Sequence, residues 1–388
     1  MKYRYENFGG ILSIQDPPFL AFVDRDFMRE LGLADSPRWE GTDESIGVLS
    51  APTEVHFSVT NRCPARCPHC YMNAGEPDPG EMDTSELKAV LKQLGEMGVF
   101  HVALGGGEAL ARPDLFEIAE FARECGLVPN LTVSGELLTA ELAPRMKVFG
   151  QVNVSLDGVG PLSGVFRGRE TFPTADRALG LLVAAGVPTG INCVVGKGNY
   201  DGLADLFAYA RAKGLNEIEF LRYKASGRAR EAFLAGRATP EQNLALVPML
   251  TQLSEKHSVR ARIDCSFVPM LCAHRPPRET LEAMGTYGCE PGNVLLGIRS
   301  NGVVSGCSFL EATGLKARDL RKEWTTSPAL ARLRAWPERA AEPCRSCDYL
   351  RLCKGGCHAV AAFVTGDPDA PDPDCPFVVE FSRRANQA

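Results

Sequence analysis

The chain has 388 residues, 45% apolar and 23% charged, enough for one large folded domain and a smaller one. Its net charge of −6 offers no overall basic field, so extended binding along a nucleic-acid backbone is not expected. The start Met1-Lys2-Tyr3-Arg4-Tyr5-Glu6 lacks an apolar targeting core, and no run of about 20 apolar residues follows, which argues against export and membrane spanning. Fourteen cysteines in such a chain point to metal rather than disulfides, and a cytoplasmic location is expected because thiols stay reduced there.

Residues 8–14 and 20–23 read as two short strands around a turn at Asp16-Pro17-Pro18, followed by a helix from Asp24 to a stop at Gly32. This β-β-α extension, residues 1–52, is expected to cover the bottom of the next domain; a docking surface for a substrate or carrier protein is the alternative. The alternating run Val55-His56-Phe57-Ser58-Val59 then reads as a strand that empties into Cys63-Pro64-Ala65-Arg66-Cys67-Pro68-His69-Cys70. Three thiols spaced C-x₃-C-x₂-C are one short of the usual four for an iron–sulfur cube, so one iron would keep an exchangeable position. A structural zinc knuckle and three buried core thiols are both compatible with the same spacing.

From residue 53 to about 222, strand and helix alternate as a parallel α/β sheet requires. The strand runs are 54–59, 101–104, 129–133, 152–156, 190–195 and 217–221, with helices among them at 84–97, 113–125, 174–185 and 202–213. Six repeats fall short of the eight of a closed barrel. The strand ends carry the chemistry. After the second comes Gly105-Gly106-Gly107-Glu108, bare backbone plus an acceptor for a cation. After the third and fourth come Ser134-Gly135 and Ser155-Leu156-Asp157-Gly158, which suit a polyol but are also ordinary turn and cap residues. Asn192 and Cys193 on the fifth strand must face opposite ways. The sixth ends in Arg222-Tyr223, where the arginine is either a solvated loop charge or the partner of a carboxylate-bearing ligand.

A linker follows, with a helix started by Thr239-Pro240-Glu241. Beyond about residue 260 the periodicity fades and cysteines crowd in, as Cys289-x₁₂-Gly302-x₄-Cys307, then Cys344-x₂-Cys347-x₅-Cys353-x₃-Cys357, then Cys375. A segment so poor in long periodic elements needs a metal scaffold.

The 63–70 loop followed by Tyr71 resembles the signature of the radical S-adenosylmethionine (SAM) enzymes, and Gly106-Gly107-Glu108 resembles the motif that holds the SAM ammonium in that family. The seven downstream cysteines resemble the full SPASM signature. The resemblance covers most of the chain and implies a partial (β/α)₆ TIM barrel at 53–238, a helical linker at 239–262 and a SPASM domain at 263–388. It implies SAM contacts from Tyr71, Gly106, Gly107, Glu108, Ser134, Ser155, Asp157, Asn192 and Arg222, with Asn192 as the inward residue of its strand.

Three [4Fe–4S] clusters are implied: one on Cys63, Cys67 and Cys70, and one on Cys344, Cys347, Cys353 and Cys375. A third would rest on Cys289, Cys307 and Cys357, with Cys272 or Cys265 as fourth ligand or with an open iron. The implied activity is that of an oxidoreductase that splits SAM to a 5′-deoxyadenosyl radical and oxidises a ribosomal peptide or protein side chain, as in a thioether or carbon–carbon cross-link. Modification of a tetrapyrrole or other cofactor precursor is the alternative, and a non-catalytic iron–sulfur scaffold or electron-transfer partner the second. A flavodoxin- or ferredoxin-type donor is implied. Because the N-terminal part is short for a complete winged-helix recognition domain, leader recognition is expected to fall to a separate leader-recognition protein or to the small cap. No general base is singled out; Asp157 and Tyr223 are candidates near the expected mouth.

Overall fold

In the computed structural model, which describes residues 1–15, 18–41, 46–385 and 387, the N-terminal piece is a three-stranded antiparallel sheet, β1 (Lys2–Glu6), β2 (Gly9–Gln15) and β3 (Pro18–Asp24), followed by α1 (Arg25–Glu30). Asp16 and Pro17 of the expected turn lie outside the described residues. The strand β1 was not anticipated, because charged residues alternate with tyrosines along it. Arg4 and Glu6 are nonetheless buried and paired at 2.7 Å. The Arg4 guanidinium also donates to the carbonyls of Ala51, Pro52 and Gly98, and the Lys2 ammonium donates to those of Val99 and Gly126. These carbonyls precede the strands of the main sheet, so this piece caps the N-terminal ends of those strands.

All six expected strands form. They are β4 (Glu54–Thr60), β5 (His101–Gly106), β6 (Val128–Val133), β7 (Val152–Ser155), β8 (Thr189–Val195) and β9 (Glu217–Arg222), paired in parallel in that order. The crossovers include α2 (Thr84–Glu96), α3 (Leu115–Glu124), α4 (Phe172–Ala184) and α5 (Leu203–Ala212), while β6 and β7 are joined through a short 3₁₀ turn. Helix α2 shows the logic. Asp83 and Glu86 exchange side-chain and backbone hydrogen bonds at its start, a box that contributes about 1 kcal/mol, and Leu87, Val90, Leu91 and Leu94 form its buried stripe. On β4, Val55, Phe57 and Val59 join that stripe in one core, while His56 and Ser58 face the interior of the barrel.

The sheet continues beyond the six strands. After α6 (Ala229–Gly236) and α7 (Pro240–His257), β10 (Arg260–Ile263) pairs in parallel with β9. The chain passes through α8 (Val268–Cys272) and crosses to the other edge, where β11 (Leu295–Ile298) pairs in parallel with β4 and carries β12 (Val303–Ser305) and β13 (Ala312–Lys316) in antiparallel fashion. The cysteine-rich segment is thus stitched to both edges of a ten-stranded sheet. Strands of three to five residues leave too little alternation to be read from sequence. Among the described residues no helix is long and apolar enough to cross a membrane.

The cap's attachment is testable. Arg4→Met leaves Glu6 buried without its guanidinium and three carbonyls without their donor, and is expected to cost about 3–5 kcal/mol in urea unfolding. An unchanged midpoint would remove this pair from the account.

Candidate active site

The 63–70 loop leaves β4 and is braced on every side. Its start is tied by the Cys63 N–H to the Gly75 carbonyl at 2.9 Å, and its return by the Gly75 N–H to the Asn61 carbonyl at 2.9 Å. Arg228, just past β9, donates from its side chain to the Cys67 carbonyl and from its backbone to the Cys70 carbonyl. Cys63, Cys67 and Cys70 are half-buried free thiols. Burial pushes the Cys63 thiol up, against the N–H groups of Ala65 and Arg66 aimed at its sulfur; it also pushes Cys67 up, against the charge of Arg167. The Ala74 N–H points at the Cys70 sulfur from 3.4 Å. Donors aimed at the sulfurs are what thiolates bound to metal require.

The Gly105–Glu108 strand end packs directly on this loop. The Gly107 N–H donates to the Thr60 carbonyl and the Glu108 N–H to the Arg62 carbonyl. A Cβ on Gly106 would lie 2.2 Å from the Thr60 oxygen, and one on Gly107 2.2 Å from the Arg62 oxygen. These glycines therefore admit the neighbouring backbone first. Gly105 and Gly106 line an open cavity. Glu108 is 2% exposed and accepts from both the N–H and the hydroxyl of Ser134. Burial raises its carboxyl above the usual range, partly offset by Ser134 and the Leu110 N–H.

Other expected site residues divide. Asn192 faces the barrel interior, accepting from the Asn153 amide at 2.6 Å and donating to Thr132 at 3.1 Å, while Cys193 is fully buried on the opposite face. Ser155 sits beside Asn192 in register. Tyr71 lines the cavity and packs at a tilt against Phe309, with ring centroids 4.6 Å apart, and burial pushes its hydroxyl up to about 12.

Three expectations need correction. Asp157 is not at a mouth but wholly buried beneath the loop: one oxygen accepts from the Val194 N–H, and the other meets Arg167 at 2.7 Å and His69 at 3.9 Å. Tyr223 is packing, 4% exposed between Phe166 and Phe233 with its hydroxyl on the Ala229 carbonyl, so it has no proton to offer a substrate. Arg222 does not point at an open ligand site. Its guanidinium is buried on Asp372, at 2.5 and 2.9 Å, and on Asp374 at 2.7 Å. Burial lowers its pKa, but the two carboxylates more than reverse that and leave it well above the ordinary value.

The downstream thiols fall into two groups. Cys265, Cys289, Cys307 and Cys357 act on one another electrostatically. Cys272 belongs to the other group, lining one void with Cys344, Cys347, Cys353 and Cys375, so it is not available to the first. Five thiols stand around one void, and sulfur donors in that number are the ligand chemistry an iron–sulfur core takes.

A cavity of about 520 Å³ lies between Asn61 and residues 71–73, which flank the 63–70 loop, and Ser305, Ser308 and Phe309, which flank Cys307. His56, Ser58 and Ala103 form its barrel side, and Tyr71 and Phe309 its aromatic wall. The buried Lys224, paired with Asp264, stands 4.4 Å over the Phe309 ring. Sequence reasoning passed over Lys224, Asp264, Arg167 and the Asp372–Asp374 pair. Of these, only Asp-x-Asp just before Cys375 carried a local signal.

The family profile described as Radical SAM superfamily matches residues 57–210. The chain is 32% identical over 339 residues to mycofactocin maturase MftC of Mycobacterium ulcerans (strain Agy99), covering 84% of this chain and 88% of that protein. It is 31% identical over 353 residues to the PqqA peptide cyclase of Bradyrhizobium diazoefficiens, covering 86% and 88%. Streptococcus suis SuiB, solved with S-adenosylmethionine bound, shares the fold with a TM-score of 0.75 at 18% identity, over 96% of this chain and 98% of that one.

Arg222→Met leaves Asp372 buried without a guanidinium and takes one of two arginines from Asp374, which keeps Arg237. A loss of about 3–5 kcal/mol is expected in chemical denaturation, with the C-terminal segment loosened first by hydrogen exchange. Unchanged exchange there would contradict the role given to this pair.

Proposed function

The chain belongs to the radical SAM superfamily, among its SPASM-type peptide maturases, and from that premise we propose that it oxidises a side chain of a precursor peptide held in the 520 Å³ cavity, joining it in a thioether or carbon–carbon link. The observation that carries this reading is the position of the cavity, bounded on one side by Asn61 and residues 71–73, which flank the first thiol loop, and on the other by Ser305 and Ser308, which flank Cys307. A peptide segment there would be within reach of both.

In this reading Cys63, Cys67 and Cys70 hold a [4Fe–4S] cluster with one iron free for SAM. Bound together, SAM and the reduced cluster supply a 5′-deoxyadenosyl radical able to remove hydrogen from an unactivated carbon. The chain's own residues orient and shield. Glu108 takes the SAM ammonium, and Ser134 fixes the Glu108 carboxylate rather than touching the ribose itself. Ser155 and Asn192 offer polar edges in the barrel. Tyr71 and Phe309 keep water from the reacting carbon. Cys265, Cys289, Cys307 and Cys357 would hold one auxiliary [4Fe–4S] cluster with no open iron. The second thiol group would hold another, giving three in all and a place for the electron the substrate gives up. A flavodoxin- or ferredoxin-type donor would supply the electron, and a separate leader-recognition protein or the small N-terminal cap would hold the leader. Free thiols in this number suit a reducing compartment such as the cytoplasm.

Glu108→Gln keeps shape and the bond to Ser134 but removes the charge, so SAM affinity is expected to fall roughly ten- to a hundredfold. Because burial holds the Glu108 carboxyl high, wild-type affinity should weaken as pH falls through that raised value, while the variant stays flat. Equal affinities by equilibrium dialysis would count against this contact. The reaction itself is tested by 5′-deoxyadenosine release from the reduced, cluster-loaded protein with extract of the source cell. Stimulation abolished by protease treatment of the extract is the expected result. Stimulation that survives would transfer the assignment to a tetrapyrrole or other cofactor precursor, and no release at all would favour a scaffold.

A further inference from the structure

The fourteen cysteines do not divide evenly. Cys265 begins a short 3₁₀ turn, Cys265–Phe267, and helix α8 follows it directly and ends at Cys272. That short helical run sends the two thiols to different groups. Cys265 makes a set of four with Cys289, Cys307 and Cys357. Cys272 makes a set of five, because it lines the same void as Cys344, Cys347, Cys353 and Cys375. A [4Fe–4S] core has four corners, so one thiol of this set is in excess.

The surroundings single out which corner is contested. Cys375 is held at the start of the helix Pro376–Ala385, with the N–H groups of Phe377 and Val378 aimed at its sulfur. Cys353 is buried at the centre of the set and faces Cys272, Cys375 and Cys344. The thiols that act on Cys344 are those of Cys375 and Cys347. Those that act on Cys272 are Cys347 first and then Cys375. Cys347 is half-buried, whereas Cys272 is 2% exposed. The shared neighbour of lowest burial is therefore Cys347.

We propose that Cys272 and Cys347 compete for one corner of the cluster otherwise held by Cys344, Cys353 and Cys375, so that this site carries a reserve thiol. The exchange breaks one iron–sulfur bond and forms another, passing one proton from the incoming thiol to the leaving one, with no electron moved. It lets a half-buried ligand, Cys347, be lost to an alkylating or oxidising agent while the cluster stays bound. The inference rests on the reading that this thiol group holds a cluster.

The full chain, reconstituted with iron and sulfide, tests it through metal content and the EPR spectrum of the reduced protein. Cys347→Ala and Cys272→Ala are each expected to keep wild-type iron. Their combination and Cys344→Ala are each expected to lose about four irons per chain. Cys347→Ala losing as much as the double variant would overturn the reserve role, and Cys272→Ala alone losing the cluster would make Cys272 an obligatory ligand instead. If neither the double variant nor Cys344→Ala loses iron, the cluster assignment itself fails. Far-UV circular dichroism and the remaining cluster signals check folding. Where a variant does not fold, iodoacetamide on the native loaded protein decides: alkylation of Cys347 without iron release supports the proposal, and complete protection of Cys347 overturns it.

Discussion

The buried contact between Arg222 and the two carboxylates of Asp372 and Asp374 holds the halves of this molecule in register. Arg222 ends the last of the six expected barrel strands, while both acids stand in the segment leading to Cys375. Asp372 also accepts the Cys357 N–H at 2.8 Å, so one carboxylate fixes the backbone of one thiol group while its neighbour in sequence leads into the other. A buried ion pair is seldom a net gain over apolar packing, but losing one partner is costly, which makes such a pair a strong specifier of one arrangement. Here it specifies where two cysteine groups stand relative to a barrel built more than a hundred residues earlier.

The first thiol loop is fixed by backbone rather than by charge. Gly106 and Gly107 let the second strand's end lie against Thr60 and Arg62, and Gly227 lies against the carbonyl oxygens of Cys70 and Tyr71, a place where a Cβ would come within 2.5 Å of both. Side chains then do separate work. Ser134 holds Glu108, Asp157 anchors Arg167 and His69 under the loop, and the amide chain from Thr132 through Asn192 to Asn153 lines the interior. A barrel interior with this many satisfied polar groups is already paired before any ligand enters, which is the condition for positioning one without reorganisation.

What the sequence made legible was local. Runs of four to six residues set within a strand–helix repeat revealed the six central strands, and the cysteine spacings revealed the loops that hold them. Direction and distant partners were not legible. Arg222, Tyr223 and Asp157 sit at strand ends as expected, but Arg222 finds carboxylates 150 residues on and Asp157 turns under the loop instead of into the cavity. Spacing left Cys265 and Cys272 equivalent; the short helix between them separates their thiols. The edge strands escaped notice because three to five residues carry no reliable period, and because their pairing with β4 and β9 is set by tertiary contact.

The same edge strands explain why the cavity lies where it does. Strand β11 extends the sheet beside β4, and β12 turns back along it, with Ser305 level with Gly297. Past Ser305 the chain folds over the barrel face of β11, possible because position 297 is glycine: a Cβ there would lie 2.7 Å from the Ser305 hydroxyl and 2.9 Å from the Cys307 carbonyl carbon. Ser308 then meets His56 of β4 at 3.1 Å, and Phe309 reaches Tyr71 at the end of the first loop. Neighbouring strands stand about 4.8 Å apart, so sheet hydrogen bonding sets the spacing between β4, which leads into the first loop, and β12, which leads into Cys307. The cavity lies beside this pairing, walled by His56 and Ser58 of β4, Gly297 of β11, and Ser308 and Phe309 past β12.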